Sequence, residues 1–423
     1  MSVLRRISEA QASASYGLAR RAVTPETLRD AAVIVGEVEA RGEAALREYA
    51  LRFGDIGPTD PLILGRKDLE AALSAEPRAN WELLERVAQR VFAFASAQRG
   101  ALLDVDLPIP GGHARHRVKA VERAGCYAPG GRFPLPSSVL MTAVTAKTAG
   151  VGSVWVASPK PARITLAAAA VAGADALLCA GGAHAIAALA FGAGEVPATD
   201  VVVGPGNRWV TAAKQLVFGR VGIDMLAGPS ELVVLADASA DPALVAADLL
   251  AQAEHDPDAL PVLIALHPSV LDRVEAELSA QLLDLPTAAV ARAALGNGFA
   301  VAASSVDAAI ALANRLAPEH LELDVAAPEA IAPLLVHYGA LFFGPQAAEV
   351  LGDYGAGPNH VLPTGGTARS TAGLSVYTFL RAQTELQIDD PIAAAALAED
   401  AVSLARLEGL EAHARAAHRR IKR

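Results

Sequence analysis

Residues 241–258, DPALVAADLLAQAEHDPD, carry a clear helix start and end in polar side chains. Asp241 followed by Pro242 is typical of a helix N-terminus, because an N-cap carboxylate accepts from backbone N–H groups and proline loses nothing at the first helical position. The pattern predicts a helix to about His255, with Gln252 and His255 on one face. These two side chains could hold a metal or a polar substrate, or could simply meet water at a helix end.

Length, charge and cysteine content narrow the class of protein. The chain has 423 residues and a net charge of −10, and that length allows two or three domains. Cys126 and Cys179 lack metal-ligand spacing, so we expect neither a disulfide framework nor a zinc ribbon. The acidic balance argues against nucleic acid as a partner. The N-terminus lacks the apolar core of a secretory signal, which predicts a cytoplasmic protein.

Residues 164–194 contain only one charge, Asp175, and a hydropathy window could read them as a membrane span. The segment consists mostly of alanine and glycine, and it is interrupted at Gly173 and at Gly181-Gly182. A buried helix, strand and helix explain it better, so we expect no membrane association.

Short apolar runs alternate with helical segments through the second half of the chain. This alternation predicts parallel sheets with helices on both faces. The runs are residues 154–158, 176–179, 201–203, 232–236, 262–266, 300–303 and 340–343. Their spacing predicts an α/β protein with two adjacent Rossmann-like domains, although the chain contains no GxGxxG fingerprint.

We expect the chain to fold into four parts. We expect an N-terminal helical arm, a first α/β domain made of two segments, a second α/β domain and a C-terminal helical tail. Their bounds are 1–23, 24–121 with 232–375, 122–231, and 376–423. Residues 113–122 alternate well enough to form a strand that leads into the core.

Two glycine-rich loops precede helices, and a third turn ends in Ser230. The loops are residues 125–136 and Gly204-Pro205-Gly206-Asn207. Backbone N–H groups at such helix starts could receive a phosphate, but Gly-Pro loops are also common as simple turns. Ser230 could donate to a ligand or merely cap its turn.

Acidic and imidazole side chains recur in the last third of the chain. Glu319 and His320 are adjacent at a junction between elements, where they could divide acid–base work or form a surface pair. Asp353 and His360 lie in the long loop 344–373, and loops of that length in compact domains are often functional.

The C-terminal segment EGLEAH contains Glu408 and His413. On an unbroken helix these residues would point about 140° apart. A break near Gly409 would allow both to face one point. Otherwise the tail is a docking helix with solvated charges.

Eight segments occur in one order between residues 127 and 413, within a resemblance that covers about residues 20–420: YAPGGRFPLPSSVLM, GGAHAIAALAFG, VVVGPGN, IDMLAGPSE, QAEH, APEHLEL, GDYGAGPNHVLPT and EGLEAH. Together they strongly resemble the histidinol dehydrogenase family, NAD- and zinc-dependent enzymes of the last steps of histidine synthesis. The resemblance implies two successive hydride transfers to NAD, from alcohol to aldehyde and from aldehyde to acid.

The resemblance also implies roles for individual residues. One zinc ion per subunit would be bound by Gln252, His255, Asp353 and His413. The substrate would be bound by these four together with Ser230, His320, His360 and Glu408. His320 matches the base that takes the alcohol proton, and Glu319 matches the residue that activates water for the aldehyde step.

The implied NAD contacts are Tyr127, His184 and Asn207, where His184 stands in place of the family's usual glutamine. In this family the C-terminal tail completes the partner's site in a homodimer, so Glu408 and His413 would come from the other chain. The first α/β domain would then hold the metal and acid–base residues, and the second would hold the NAD loops.

Two other functions remain open at this point. One is a related zinc- and NAD-dependent dehydrogenase of another small primary alcohol, such as a sulfonated diol. The other is a catalytically silent, zinc-stabilised assembly protein, which predicts losses among the metal and acid–base residues. None of those residues is lost.

Overall fold

The computed structural model describes residues 3–15, 22–130, 134–344 and 346–421. The strands in chain order are β1 (Arg5–Arg6), β2 (Ile63–Gly65), β3 (Val105–Ile109), β4 (Gly112–Ala120), β5 (Arg123–Tyr127), β6 (Ser153–Ala157), β7 (Ala176–Leu178), β8 (Val201–Val203), β9 (Gly222–Ile223), β10 (Glu231–Ala236), β11 (Leu260–Ala265), β12 (Phe299–Ala302), β13 (His320–Asp324), β14 (Ala340–Phe343) and β15 (Leu380–Ile388).

The α-helices in chain order are α1 (Glu9–Ser15), α2 (Pro25–Arg41), α3 (Glu43–Arg52), α4 (Arg66–Ser74), α5 (Arg78–Gly100), α6 (Pro136–Val139), α7 (Thr145–Ala149), α8 (Arg163–Val171), α9 (Gly182–Phe191), α10 (Arg208–Val217), α11 (Pro242–His255), α12 (Pro268–Gln281), α13 (Ala288–Asn297), α14 (Val306–Leu316), α15 (Pro328–Ile331), α16 (Glu349–Asp353), α17 (Ala395–Leu407) and α18 (Glu411–Ile421). A π-helical turn, Leu140–Val144, joins α6 to α7.

Two parallel sheets organise the described part of the chain. Sheet A has the order β1-β12-β11-β10-β13-β14, and sheet B has the order β2-β7-β6-β5-β8-β9. Sheet A and the five strands β5 to β9 are parallel, and only β2 joins sheet B antiparallel. Strands such as β10 and β11 are buried along their whole length, as continuous apolar runs in a covered parallel sheet should be. The predicted α/β fold class is confirmed.

Each sheet contains a Rossmann-type strand order. In sheet A, β10, β11 and β12 are added in one direction, and the chain then returns to place β13 and β14 on the other side of β10. In sheet B, β5, β6 and β7 are added in one direction, and β8 and β9 lie on the other side of β5. This topological switch lies between β10 and β13 in sheet A and between β5 and β8 in sheet B. All seven predicted runs form strands, while β5 and β13 form additional central strands that the apolar-run pattern did not predict.

Helix α11 forms as predicted. The Asp241 carboxylate caps its first turn by accepting from the Ala243 N–H at 2.9 Å, Pro242 occupies the first position, and the helix ends at His255. Segment 164–194 forms α8, β7 and α9, the predicted helix, strand and helix. Within the described residues, no helix is both long and apolar enough to cross a membrane.

Residues 24–121 are placed differently from our expectation. We grouped them with 232–375, but α2 packs on α9 and α10, α4 packs on α8, and β2 pairs with β7 of sheet B. The apolar faces of these helices join the core of sheet B. The N-terminal arm also differs, because β1 extends sheet A beside β12 before α1 begins.

The C-terminal segment is not helical from residue 376. It begins with a short 3-10 turn and strand β15, which pairs antiparallel with β4 over nine residues. Strand β4 in turn pairs with β3, so a three-stranded sheet C stands apart from the two parallel sheets. The sequence LRAQTELQI places most of its apolar residues at every second position, a period-two pattern that is typical of a strand.

Candidate active and metal site

Candidate catalytic side chains gather at the amino edge of sheet A. His320 opens β13 and Glu231 opens the neighbouring strand β10. Helix α11 brings Gln252 and His255 to the cluster from its C-terminal end. The short helix α16 adds Glu349 and Asp353. These elements are distant in the chain, and the strand order brings them together.

His320 is held in place by one of its two ring nitrogens. The imidazole is buried, and its Nδ1 lies 3.2 Å from the carbonyl oxygen of Glu231, which can only accept. Nδ1 therefore carries the proton, and Nε2 keeps its lone pair. Among the described residues Nε2 has no hydrogen-bond partner, and it lies 3.6 Å from Oδ1 of Asp353. Burial lowers the pKa of His320 to about 4, against the opposing charge of Asp353, so the ring is neutral at pH 7.

Glu319 lies next to the His320 imidazole with its carboxyl group inside the protein. Its Oε2 accepts from the Glu231 N–H at 2.9 Å and lies 3.8 Å from Nδ1 of His320. Ser230 forms a side-chain hydrogen bond to the same carboxyl group. Burial raises the pKa of Glu319 well above its usual value, and the charges of Glu231 and Asp353 add to the effect. A carboxylate held in this way is a stronger base than one in water.

Three residues present possible metal-ligand atoms close together. Nε2 of His255 lies 3.5 Å from Oδ2 of Asp353 and 4.0 Å from Oε1 of Glu349. One ligand atom from each of the three fits within a 4.8 Å span. Gln252 is fully buried beside them, and its amide nitrogen, oriented to satisfy its hydrogen bonds, donates to Oε1 of Glu349 at 3.1 Å.

Glu349 is the member of this cluster that sequence reasoning missed. It is buried between Gln252, His255 and His320, with its Oε1 3.8 Å from Nδ1 of His320. Burial, followed by the charge of Asp353, raises its pKa well above the usual value. A signal was available, because Glu349 precedes Asp353 by four residues and so shares its face of a helix.

The remaining predicted substrate residues divide into two groups. His360 lies beside the cluster, since its Nδ1 donates to the backbone carbonyl of Asp353 at 2.8 Å. Glu408 and His413 do not join it within this chain, because both are exposed at the junction of α17 and α18. The predicted break is present: α17 ends at Leu407, and Gly409 has a φ of +76°.

The predicted nucleotide residues lie at the carboxyl edge of sheet B. Tyr127 ends β5, and its hydroxyl oxygen accepts from the Gly182 N–H at 3.4 Å. Asn207 is exposed and caps α10, with its Oδ1 accepting from two backbone N–H groups. Residues 131–133 of the predicted phosphate loop lie outside the described residues.

His184, the departure from the family pattern, is 2% exposed. Its Nε2 lies 2.8 Å from Oδ2 of Asp55, and its ring stacks on Tyr49 and makes a tilted contact with Phe53. The same Asp55 oxygen accepts from the Gly181 N–H at 2.8 Å. His184 is therefore fixed beneath the turn that starts α9, facing Asp55.

A buried acid behind the site gives a stability prediction. Burial raises the pKa of Glu322 to about 8, while its Oε1 accepts from the Glu349 N–H at 2.6 Å. Because this pKa exceeds the unfolded value of about 4.3, the folded protein binds the extra proton, and stability falls as pH rises from that value through 8. We expect Glu322→Gln, which resembles the protonated acid, to raise the melting temperature of chelated protein by a few degrees at pH 8 and hardly at pH 5.

The control for this experiment is Glu329→Gln, which changes an exposed acid in the same part of the chain. Its melting curve should follow the wild type at both pH values. An equal pH slope in wild type and Glu322→Gln would show that Glu322 does not hold the extra proton.

Known proteins match this chain over most of its length. The sequence model of the histidinol dehydrogenase family matches residues 19–421. Histidinol dehydrogenase of Pseudomonas syringae pv. syringae is 44% identical over 398 residues, which make up 92% of this chain and 88% of that protein. Histidinol dehydrogenase of Thermus thermophilus is 51% identical over 336 residues, or 79% of this chain and 81% of that protein.

A solved structure agrees with the sequence relatives. The crystal structure of histidinol dehydrogenase from Elizabethkingia anophelis superposes with a TM-score of 0.92 and 28% sequence identity. The match covers 100% of this chain and 99% of that one. The family match, the identities and the shared fold together establish that this chain belongs to the histidinol dehydrogenase family.

Proposed function

We propose that this protein oxidises L-histidinol to L-histidine through L-histidinaldehyde, with two molecules of NAD, in the final steps of histidine biosynthesis. One observation carries the chemistry: His320 is a buried, neutral imidazole whose Nε2 has no hydrogen-bond partner among the described residues and lies beside a cluster of possible metal ligands. Such a nitrogen can take the proton of an alcohol as hydride leaves its carbon.

The two oxidations use neighbouring side chains. His320 takes the hydroxyl proton in the first step, while its Nδ1 stays bound to the Glu231 carbonyl, so the ring keeps its orientation. Glu319 takes a proton from water as that water adds to the aldehyde, so the carbon then carries one hydroxyl and one oxyanion. The second hydride leaves this hydrate anion, which becomes the acid. Bound NAD supplies the hydride acceptor in both steps.

The donor set fits a zinc ion that binds substrate. We propose Gln252, His255 and Asp353 as ligands from this chain, with Glu349 holding the Gln252 amide. Nitrogen and oxygen donors without thiolates are typical of catalytic rather than structural zinc. A bound zinc ion would orient the amine and imidazole of the substrate.

We further propose a homodimer in which the C-terminal tail completes the partner's site. Helices α17 and α18 pack mainly against each other around a small core of Val402, Ala405 and Ala414. Leu404, Leu407 and Leu410 are left exposed, with Leu407 86% exposed. A helical hairpin with so much uncovered apolar surface needs a partner surface. Glu408 and His413 are exposed residues of the same hairpin.

The body of the chain offers a surface of matching character. A cleft of about 800 Å³ lies beside α16 and is lined by apolar residues that include Phe94, Leu341, Phe342 and Leu351. Because α16 carries Asp353, a tail seated near this cleft would bring His413 toward the proposed zinc ligands. The partner's Glu408 would then contact the substrate.

The test is NADH formation by purified, zinc-loaded protein with L-histidinol, and in parallel with a sulfonated diol. We expect activity with histidinol only, loss on chelation and recovery with zinc. Activity with the diol alone would contradict the substrate, and metal binding without turnover of either would contradict the enzymatic function.

Glu319→Gln separates the two half-reactions. A glutamine at this position can still accept from the Glu231 N–H but cannot remove a proton from water, so aldehyde oxidation should slow by roughly 10²-fold or more. Alcohol oxidation should change far less. The two rates are measured separately with histidinol and histidinaldehyde in single-turnover experiments at constant zinc content. Equal losses in both half-reactions would remove the proposed role.

A further inference from the structure

Loop 204–207 leaves sheet B at its topological switch, between β5 and β8. Ligands of open α/β sheets bind at such a switch, outside the carboxyl ends of the strands. Gly204 has a φ of +118°, and a Cβ at this position would lie 2.0 Å from the carbonyl oxygen of Tyr127. Only glycine allows the loop to approach the end of β5 so closely.

A buried ion pair holds both backbone polar groups of Gly204. Lys214 of α10 and Asp224, which follows β9, form this pair with 2% and 0% of their side-chain surfaces exposed. The Lys214 ammonium donates to the Gly204 carbonyl oxygen at 3.0 Å. Oδ2 of Asp224 accepts from the Gly204 N–H at 2.7 Å, and Oδ1 accepts from the Met225 N–H at 2.7 Å.

Net stability is a poor explanation for this pair. Removing two charges from water costs several kcal/mol per ion, and well-packed apolar residues often serve folding equally well. Neither residue belongs to the acid–base or metal cluster at sheet A. What the pair does in the molecule is to fix the backbone of one residue at the start of a glycine-rich loop.

The other end of this loop is also fixed. Oδ1 of Asn207 accepts from the N–H groups of Trp209 and Val210, so the last loop residue is tied to the first turn of α10. With Gly204 held by the ion pair, both ends of a four-residue loop are set before any ligand arrives. Such preorganisation strengthens binding because less freedom is lost on association.

We propose that the Lys214–Asp224 pair is the positioning element of the cofactor loop and thereby sets the affinity for NAD. This inference rests on the proposed function, in which loop 204–207 contacts the dinucleotide. Both side chains are covered by protein, so they act through Gly204 and not by touching the cofactor.

The test uses the neutral double variant Lys214→Met/Asp224→Asn, in which no charge is left buried alone. Fluorescence titration of the full-length protein with NADH should show a dissociation constant raised about tenfold or more. Zinc affinity should stay unchanged, because the metal ligands lie at sheet A. The matched control is Lys147→Met/Asp175→Asn, which removes a half-buried ion pair of 2.9 Å from the same domain and should leave NADH binding unchanged.

Hydrogen exchange of the wild-type protein gives a second readout that does not depend on a variant folding. Without cofactor, the amide hydrogen of Gly204 should exchange slowly with solvent, because the buried Asp224 carboxylate accepts a hydrogen bond from this N–H. Fast exchange there, or unchanged NADH affinity in the neutral double variant, would overturn the positioning role. Failure of the NAD-dependent function looks different, because the wild-type protein itself would then bind no NADH, and the positioning role would fall with it. Activity with another alcohol would contradict only the proposed substrate, since NADH would still bind.

Discussion

Replacing His320 by asparagine should reduce histidinol oxidation by roughly 10³-fold, within the range that positioned general bases contribute. Asparagine is similar in size and can still donate to the Glu231 carbonyl, but it has no basic nitrogen in place of Nε2. Zinc content should stay at the wild-type level, because His320 is not among the proposed ligands. The measurement is kcat/KM for histidinol, together with zinc per subunit.

His267→Asn is the matched control for this substitution. His267 caps α12 by accepting from the Ser269 N–H, and asparagine is a good residue for that position. Its activity should equal the wild type. If His320→Asn turned over histidinol at a similar rate, His320 could not be the base.

A heterodimer with one defect in each chain should recover about half of the wild-type activity. One chain carries His320→Asn and the other carries His413→Ala, and each homodimer alone should be nearly inactive. In the proposed assembly a site combines the body of one chain with the tail of the other. One of the two sites in the heterodimer therefore receives both substitutions, and the other receives neither.

Differently tagged chains, co-expressed and purified over both tags, give the heterodimer for this assay. His418→Ala in place of His413→Ala is the control, because His418 is an exposed residue on the same helix. That variant should be active as a homodimer. A doubly tagged heterodimer without activity would mean that each tail serves its own chain.

Local signals in the sequence predicted much of the fold. Asp241-Pro242 predicted the start of α11, and the apolar runs predicted seven strands of the two parallel sheets. Such signals do not say which surface an element meets. The amphipathic pattern of residues 24–121 predicts that each helix buries one face. The pattern does not say which sheet covers these faces, and in the structure they join the core of sheet B and not that of sheet A.

In the candidate site, too, the sequence predicted individual residues but not all of their contacts. Family motifs pointed to Gln252, His255 and Asp353, which the fold places in one cluster. Glu349 carried no signal beyond its spacing from Asp353, and its importance follows from burial between distant elements. Asp55 and His184 are 129 positions apart, so no local pattern could reveal their contact.

The ratio of NADH formed to histidinol consumed tests the central claim, a four-electron oxidation at one site, most directly. Zinc-loaded protein is given a limiting amount of L-histidinol with excess NAD, and the end point is read from NADH absorbance and the product by mass. The proposed function predicts two NADH and one L-histidine per histidinol, with no free aldehyde. One NADH with accumulated aldehyde, or no NADH, would contradict it.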